Sequence, residues 1–574
     1  MVLLTELSQG DQAVFLSVFI AIMRYLAPAM MILLLGRCIW PMVTFRREPE
    51  IWAWLCLEDD TRLPITHWES VIGANKHSDI VIDDPTVSAN HAVLTRYDDG
   101  SWSVTDADSQ TGVLVNGQRV SMLPLQPEDV ITVGGINMVL RPISKKQEQH
   151  LARLRTKASS FFTSLANVLL LSVFQMLCAV IFMLSGSRET VASVLLGFGG
   201  IMICQWLLLL FYVCIRRTSF EVETIAFFLC TMGMAVIATV CPGEAVKQLA
   251  SMVLGLIVFL MIGWSMRDLE RAKKMRYMAG VAGILFLLVT LVFGQEYYGA
   301  KNWLVIGSFS LQPSELSKVC FVFIGASPME RLMKKQNLIL FIVYSVLICG
   351  CLALMNDFGT ALIFFTAFLV IAYMRSGSVG TLALALTALG FAGVTAMRIA
   401  PHMLDRFATW GHVWEDTVNA GWQQATSMMC MASGGFLGLG PGQGWMGGNM
   451  FAADSDVVIA TICEEWGLIA VIMVILCVVG LAFFAIRSAA MGRSSFYTIG
   501  SCTAASILLV QTILNALGTV DILPLTGVTF PFLSNGGSSM ICAWGLLAFI
   551  KAADTRQNAS FAVRLVKRGG MEDE

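Results

Sequence analysis

Long apolar runs separated by short polar connections occupy most of this chain, and one polar stretch near the N-terminus interrupts them. A helix that spans a membrane needs about 20 mainly apolar residues. Thirteen segments approach that requirement: 14–37, 161–184, 191–215, 219–240, 248–266, 277–294, 314–327, 337–355, 358–374, 379–399, 457–486, 496–518 and 537–553. The pattern predicts a polytopic α-helical membrane protein with about 13 spans, of which 314–327 is the shortest and carries charges.

In the polar stretch, residues 51–142, hydrophobic and polar residues follow a different pattern from that of the apolar runs. Short alternating runs such as Ala92–Thr95 and Trp102–Thr105 lie between turns such as Asn116–Gly117. Short strands bounded by Gly, Asn and Asp turns predict an all-β sandwich domain. A basic, polar linker at 143–160 follows this domain.

These patterns divide the chain into successive parts. They are an N-terminal transmembrane span in 1–40, the β-sandwich at 51–142, the linker at 143–160, two additional spans at 161–215, a core at 219–553 and a tail at 554–574. Basic residues fall on every second connection between spans, and such loops lie in the cytoplasm. We therefore expect the β domain and the C-terminus in the cytoplasm, and the long Gly- and Trp-rich loop 401–455 outside.

Composition and charge narrow the possible functions. The 574 residues are 56% hydrophobic and only 14% charged, which is too apolar for a protein that is soluble throughout. Lys and Arg number 38 against 40 Asp and Glu, so the chain lacks the basic excess of a nucleic-acid-binding protein. The 15 cysteines include no CxxC pair, so neither a zinc site nor a disulfide framework is indicated.

Ionisable residues in or beside the apolar segments are the candidate functional residues, because charge in a membrane is costly. Glu315 and Lys318 are three residues apart and share one helix face. Asp357 lies at the entrance of one span and Asp456 at the entrance of another. The segment Pro531–Ser539, PFLSNGGSS, precedes the last span.

In this order the motifs resemble those of the SEDS family, the FtsW/RodA/SpoVE group. The matching stretches are QPSELSK at 312–318, NDFGT at 356–360, GWQ at 421–423, DSDVVIA at 454–460, LPLTG at 523–527 and PFLSNGGSS at 531–539. The resemblance covers about 219–553 and implies a SEDS core of ten spans. It also implies a peptidoglycan glycosyltransferase in the cell membrane that polymerises lipid II at the outer face, with a class B penicillin-binding protein (a transpeptidase) as partner. The chain departs from the family at Asn302, Asn356, Asp454 and Asn535, where the family has Arg, Pro, His and Tyr.

The resemblance matches the family's catalytic carboxylate to Asp456. Extending a glycan requires a base for the attacking hydroxyl, and the departing diphosphate requires positive charge from Lys, Arg or a divalent cation such as Mg or Mn. We expect Lys318 to pair with Asp456 and Glu315 to lie beside both. The expected substrate-binding residues are Lys318, Glu315, Lys301, Trp303, Gln312, Gln423 and Ser534. The structural alternatives are an Asp456 that caps the following helix and an ion cluster that holds helices together.

The β domain resembles a forkhead-associated (FHA) module. The matching residues are Ile72-Gly73, Ser88-x-x-His91, Ser109-x-x-Gly112 and Val115-Asn116-Gly117. Such modules bind phosphothreonine through Arg, Ser and Asn groups of their loops. Here Ala74 and Ala89 occupy the two arginine positions, which leaves Ser88, Lys76 and Thr111 as candidate phosphopeptide contacts. The cytoplasmic partner is then either a phosphothreonine protein or an unphosphorylated one.

Two functions from other classes compete with the polymerase. The first is a transporter or flippase of lipid II, which would be expected to show inverted repeats; the sequence shows no convincing internal repeat. The second is an inactive scaffold that recruits cell-wall machinery through the FHA module. The scaffold hypothesis requires Asp456 to be dispensable for the function of the protein.

Overall fold

The β-sandwich that the sequence predicts is present, and its two sheets enclose an apolar core. In this computed structural model the strands are β1 Ala53–Leu57, β2 Arg62–Ile65, β3 Glu69–Gly73, β4 Ile80–Val81, β5 Ala92–Arg96, β6 Trp102–Asp106, β7 Val113–Val115, β8 Gln118–Val120, β9 Met122–Leu125, β10 Val130–Val133 and β11 Ile136–Pro142. The six-stranded sheet has the order β2-β1-β11-β10-β7-β8, and the five-stranded sheet has the order β4-β3-β5-β6-β9. The buried core includes Leu55 and Ile131 from the first sheet and Ile72 and Leu94 from the second.

Helices make up most of the remaining chain. The structure describes residues 9–562 apart from 46–49, 60, 77, 98–99, 145, 148–149, 151–158, 186–187, 298–299, 307–308, 327–334, 377–378, 400–407, 446–448, 491 and 493. The described helices are α1 Gln9–Thr44, α2 Phe161–Ser185, α3 Arg188–Cys214, α4 Glu221–Val240, α5 Ala245–Ser265, α6 Leu269–Phe293, α7 Pro313–Gly325, α8 Lys335–Leu354, α9 Phe358–Ser376, α10 Val379–Ile399, α11 Trp422–Gly434, α12 Val458–Ala489, α13 Ser495–Thr519 and α14 Gly537–Ala552. Most of the linker 143–160 and part of the loop 401–455 lie outside the described residues.

Helix length decides how much of the predicted span count is supported. Within the described part of the chain, 10 helices are long and apolar enough to cross a membrane. The other three predicted spans coincide with α7 and α14, which have 13 and 16 residues, and with α10. A polytopic helical membrane protein is confirmed, whereas the count of thirteen stays a prediction.

Helices α4, α5 and α14 pack against one another around a buried tryptophan. Trp544 of α14 is fully buried, and its ring centroid lies 5.1 Å from that of Phe227 and 5.6 Å from that of Phe259. Gly255 of α5 faces the same indole, where a Cβ would come within 2.8 Å of it. Small residues of this kind permit the close helix contacts on which packing in a membrane depends.

Two features of the fold were not anticipated. A three-stranded sheet, β12 Gln295–Tyr297, β13 Ala300–Ile306 and β14 Phe309–Leu311, connects α6 to α7. Residues 554–562 of the predicted tail are largely buried, and the amide of Thr218 donates to the carbonyl of Asn558. The start of this tail is therefore part of the packed bundle.

Candidate active site

Asp456 lies in the short segment that leads into α12, and its backbone is held at both ends. Its amide donates to the carbonyl of Ala452 at 3.0 Å, and its own carbonyl accepts a 2.8 Å hydrogen bond from the side-chain amide of Asn515. The Asp456 side chain is half-buried. Gly527 has a φ of +67°, and a Cβ at that position would lie 3.6 Å from Asp456 Oδ2. A glycine therefore leaves space beside the carboxylate.

The helix that follows Asp456 bears on the capping alternative. The N-cap residue of α12 is Val457, whose side chain makes no capping hydrogen bond. Asp456 therefore precedes the N-cap position, from which a side chain most often caps a helix, and its role as the base stays a prediction.

The PFLSNGGSS segment, Pro531–Ser539, clamps the backbone beside Asp456. The Ser534 hydroxyl donates to the carbonyl of Ser455 at 2.6 Å and accepts from the amide of Phe530 at 2.8 Å. The backbone amide of Asn535 donates to the Asp454 carbonyl at 2.8 Å, and its side-chain amide donates to Asp454 Oδ2, also at 2.8 Å. Residues 454 and 455 are thus bound by three hydrogen-bonding groups that come from a segment about 80 positions away.

Asp454 and Asn535, two departures from the family pattern, form one interaction. The carboxylate of Asp454 accepts from Asn535 and, at 3.3 Å, from the thiol of Cys241. Burial, together with the neighbouring Asp454 charge, raises the pKa of the Cys241 thiol, so this group stays protonated and can donate. The interaction between Asp454 and Asn535 therefore fixes the loop that carries Asp456.

Glu315 and Lys318 form a buried ion pair within α7. Lys318 Nζ lies 2.6 Å from Glu315 Oε1, and both side chains are almost completely enclosed. Glu315 Oε2 is also buried and has no hydrogen-bond partner within the described residues. The hydrogen bond that Lys318 makes is to Glu315, so its expected pairing with Asp456 stays a prediction.

Gln312 joins α7 to two other elements. Its amide donates to the hydroxyl of Ser538 in the PFLSNGGSS segment at 3.0 Å, and its side-chain amide donates to Asp357 at 3.4 Å. Asp357 also accepts from the side chain of Asn302 at 3.2 Å and from the amide of Thr360 at 3.1 Å. Asp357 therefore holds the first turn of α9 and ties it to β13 and α7.

The remaining expected substrate contacts have structural neighbours. Lys301 Nζ donates to the carbonyl of Leu291 at 2.8 Å, at the C-terminal end of α6, where a cation is favoured by the helix dipole. Trp303 is half-buried in β13, opposite Gln295 of β12. Gln423 donates to the carbonyl of Phe451 at 3.0 Å. The roles of these residues in substrate binding stay predictions.

Glu464 and Glu465 bind the glycine-rich loop that precedes Asp456. Glu464 Oε1 accepts from the amide of Trp445, and Glu465 Oε2 accepts from the amide of Gly442, each at 3.1 Å. Gly467 has a φ of +84° and interrupts α12 one turn later. The carboxylates of the two glutamates thus accept hydrogen bonds from backbone amides of this loop. This arrangement favours the interpretation of the loop as a set of tight turns over its interpretation as a phosphate-binding loop.

Sequence reasoning missed Asn515 and Gln248, whose side chains bind the same elements. Gln248 Nε2 donates to the Ser534 carbonyl at 3.1 Å, and Asn515 Nδ2 donates to the Val528 carbonyl at 2.8 Å as well as to Asp456. Both residues lie inside apolar helices, and a polar amide there is the signal by which they could have been found.

The described residues contain no group of three or more His, Cys, Asp or Glu side chains that could hold a metal ion. They therefore do not form a cage for Mg²⁺ or Mn²⁺, and the expected divalent cation stays a prediction. Magnesium can also be held by one carboxylate together with substrate phosphates.

Three loops of the FHA-like domain converge at one end of the sandwich. The Ser88 carbonyl accepts from the amide of Ala74 at 3.0 Å, and the Ser88 hydroxyl accepts from the amide of Gln110 at 3.0 Å. Thr111 donates to the carbonyl of Thr86 at 3.3 Å. The structure thereby brings the Ser88 and Thr111 loops together with the loop that continues from Ala74 to the exposed Lys76.

An arginine that the sequence analysis did not single out lies at this end. A Cβ on Gly112 would approach Arg119 Nε to 2.4 Å, so the guanidinium lies directly against the residue after Thr111. Arg119 is exposed on β8. It is a second cation, besides Lys76, beside the loops of the candidate phosphopeptide site.

Comparisons with known proteins match the helical core and the β domain to two known families. The profile of the FtsW/RodA/SpoVE family, described as cell cycle proteins, matches residues 243–559, more than half of the chain. The FHA domain profile matches residues 70–134. Both resemblances are confirmed.

Curated relatives and a solved structure resemble parts of this chain. The peptidoglycan glycosyltransferase RodA of Mycobacterium bovis is 27% identical over 326 residues, which cover 54% of this chain and 69% of the relative. The probable peptidoglycan glycosyltransferase FtsW of Bacillus subtilis is 27% identical over 327 residues, which cover 53% and 79%. The crystal structure of the Thermus thermophilus rod shape determining protein RodA is 22% identical, with a TM-score of 0.44 over 58% of this chain and 95% of that one.

Proposed function

The chain belongs to the FtsW/RodA/SpoVE family, and on that premise we propose that it is a peptidoglycan glycosyltransferase that polymerises lipid II. The family match is supported by relatives that are named as glycosyltransferases of this kind. The observation that carries the proposal at the level of the site is the half-buried carboxylate of Asp456, whose backbone is fixed by α13 and whose neighbours are fixed by the PFLSNGGSS segment.

We assign the role of general base to Asp456. Its carboxylate takes the proton from the attacking sugar hydroxyl while the lipid diphosphate leaves as an anion. An anionic leaving group needs no protonation, so one carboxylate suffices, unlike the pair that glycoside hydrolases require. Attack from the face opposite to the leaving group inverts the anomeric carbon and converts an α-linked donor into a β linkage.

The other site residues divide into two roles in this proposal. Ser534 acts through the backbone, because its hydroxyl binds the carbonyl next to Asp456. Lys318, Glu315 and Gln312 are assigned to the substrate diphosphate and sugar. Lys318 and Glu315 pair on α7, and the backbone amide of Gln312 binds Ser538 of the PFLSNGGSS segment. Lys301, Trp303 and Gln423 are assigned to the outer rim of the substrate site.

We propose that the FHA domain and the C-terminus lie in the cytoplasm and that Asp456 faces outside. The alternation of basic connections supports this orientation. The partners that fit are a class B penicillin-binding protein for cross-linking and a cytoplasmic protein at the FHA loops, phosphorylated on threonine or not.

The test is polymerisation of purified lipid II by the full-length protein in proteoliposomes, with and without a class B penicillin-binding protein. Asp456→Asn keeps the size of the side chain but removes its charge, so polymer formation should fall by at least about 100-fold, the scale of a lost general base. Glu415→Gln is the matched control, because Glu415 is an exposed carboxylate of the same loop region whose hydrogen-bond partner is His412.

Other outcomes would select another function. Full polymerisation by Asp456→Asn would remove the proposed mechanism. Movement of labelled lipid II across the proteoliposome membrane, without polymer from the wild-type protein, would identify a flippase. An inactive wild-type protein that binds cell-wall enzymes would identify a scaffold.

A further inference from the structure

A carboxylate of the FHA domain binds the first turn of a core helix. Glu69, the first residue of β3, accepts from the Ser494 hydroxyl at 2.6 Å and from the Ser495 amide at 3.0 Å. It also accepts from the Ser495 hydroxyl. Ser495 is the first residue of α13, and Ser494 is its N-cap residue. The two parts of the chain are thus joined by a contact between residues that are more than 400 positions apart.

The chemistry of this contact suits the end of a helix. The first amides of a helix have no partner inside the helix, and the helix dipole favours a negative charge there. Glu69 supplies that charge, and its side chain is buried, with 7% of the residue exposed. The Ser494 hydroxyl accepts from the amide of Phe496 at 3.3 Å, so the hydroxyl and the carboxylate cap the turn together.

The other end of the same helix holds Asp456. Asn515 lies 20 residues after Ser495, a distance of about 30 Å along a continuous helix. Its side chain binds the Asp456 carbonyl. A change in the position or order of α13 therefore acts directly on the backbone of the proposed general base.

We propose that the FHA domain docks in cis on the N-terminus of α13 through Glu69 and thereby holds the helix that positions Asp456. The last step of this inference rests on the proposed polymerase function, whereas the docking itself does not. In this arrangement the domain is an internal cap for a membrane helix, and release of the cap lowers the turnover rate rather than the affinity for lipid II.

The docking residue and the peptide loops lie at opposite ends of β3. The strand runs from Glu69 to Gly73, and the next residue, Ala74, donates to the Ser88 carbonyl in the loop cluster described above. Five residues of strand span about 15 Å. A ligand at the Ser88 loop therefore does not compete with Ser494 and Ser495 for Glu69.

The first experiment measures docking without reference to catalysis. Hydrogen exchange is followed in the full-length protein in nanodiscs for amides 495–498, at the capped turn. Glu69→Ala should accelerate their exchange about tenfold or more, as expected for the loss of hydrogen bonds to a charged group. Glu58→Gln is the control, because Glu58 is an exposed carboxylate of the same domain that binds Asn137. Unchanged exchange in Glu69→Ala would overturn the docking.

The second experiment connects docking to activity by a double-mutant cycle. Glu69→Ala and the pair Ser494→Ala with Ser495→Ala should each lower kcat for lipid II polymerisation several-fold at unchanged KM. The triple variant should lose clearly less than the sum of the two losses in free energy, because both sets of changes remove the bonds between the serine hydroxyls and the Glu69 carboxylate. Additive losses, or a change in KM alone, would overturn the inference.

The serine variants and the exchange measurement distinguish a failure of the docking from a failure of the proposed function. The serine variants test the contact from the membrane core, so the result does not depend on whether Glu69→Ala disturbs the FHA fold. If the wild-type protein makes no polymer, the proposed function fails while the exchange measurement still decides the docking.

Discussion

The side-chain amide of Asn515 donates two hydrogen bonds of 2.8 Å, one to the backbone carbonyl of Asp456 and one to that of Val528. One buried residue of α13 thus links the loop before α12 to the stretch that follows LPLTG. Gly527, which borders the Asp456 carboxylate, is the neighbour of Val528. Asn515 therefore fixes both sides of the space in which the carboxylate lies.

Replacing Asn515 should affect the chemical step. Asn515→Leu leaves the buried carbonyl of Val528 and the part-buried carbonyl of Asp456 without this donor. A buried acceptor that loses its donor costs about 1–3 kcal/mol. We expect kcat for lipid II polymerisation to fall about 10-fold or more, with KM nearly unchanged, because the residue positions Asp456 and does not touch substrate. Steady-state kinetics in proteoliposomes measures both constants.

The control for this variant is Ser506→Ala on the same helix, whose hydroxyl binds the carbonyl of Thr503 within α13. Its activity should match that of the wild type. Normal kcat in Asn515→Leu would show that the Asp456 loop keeps its geometry through the PFLSNGGSS segment alone.

The Lys318–Glu315 pair can be tested for a structural or a substrate-binding role by replacing it as a unit. Lys318→Met leaves Glu315 buried without its cation, so the protein should lose about 3–5 kcal/mol of stability and its activity. Lys318→Met with Glu315→Leu replaces the pair by apolar side chains and should restore the melting temperature.

Activity of the double variant then separates the two roles. If Lys318 contacts the diphosphate, the stable double variant should remain inactive in polymerisation, and Lys318→Arg should retain only a trace because charge survives without the geometry. Wild-type rates in the double variant would show that the pair serves helix packing alone. Thermal unfolding and polymer yield are measured on the same preparations.

The sequence predicted those features that depend on local pattern or on an ordered series of motifs. The β-sandwich followed from alternating strands and turns. Asp456 was chosen as the candidate base from its motif, and that role stays a prediction. It did not predict the sheet β12–β14, because that sheet lies in a connection of mixed polarity between two spans. Nor did it predict the bonds of Asn515 and Glu69, because their partners lie 59 and more than 400 positions away. Such contacts depend on the assembled bundle.

A buried charge network at the other end of the bundle should control stability. Arg556 Nη2 lies 2.9 Å from Asp554 and 3.4 Å from Glu221 at the start of α4, and both carboxylates are enclosed. Arg556→Met leaves two buried carboxylates without this cation, so we expect a loss of about 3–5 kcal/mol. Thermal unfolding of the protein in detergent measures it.

The control for Arg556→Met is Arg62→Met, which removes an exposed arginine from β2 of the FHA domain. Its effect should stay within about 0.5 kcal/mol, the usual range for surface substitutions. Equal melting temperatures for the two variants would mean that water reaches the Arg556 network and replaces the guanidinium.

The last prediction concerns phosphate recognition by the FHA domain. A phosphopeptide site gains affinity from hydrogen bonds between arginine and phosphate, each worth about 1.5–3 kcal/mol for a charged group. Ala74 and Ala89 cannot make them, and the Ser88 hydroxyl already accepts from the Gln110 amide. The exposed cations Lys76 and Arg119 are left beside the loops, where salt screens their attraction for phosphate.

We therefore expect the full-length protein to bind matched phosphorylated and unphosphorylated threonine peptides with less than about a tenfold difference in Kd, or roughly 1.4 kcal/mol. The difference should shrink as ionic strength rises, since exposed charges are screened. Titration by fluorescence anisotropy at two salt concentrations measures it, with Lys76→Ala and Arg119→Ala identifying the cation responsible. A preference of a hundredfold or more that disappears in Arg119→Ala would contradict this expectation, because one arginine from β8 would then have replaced the two missing from the loops.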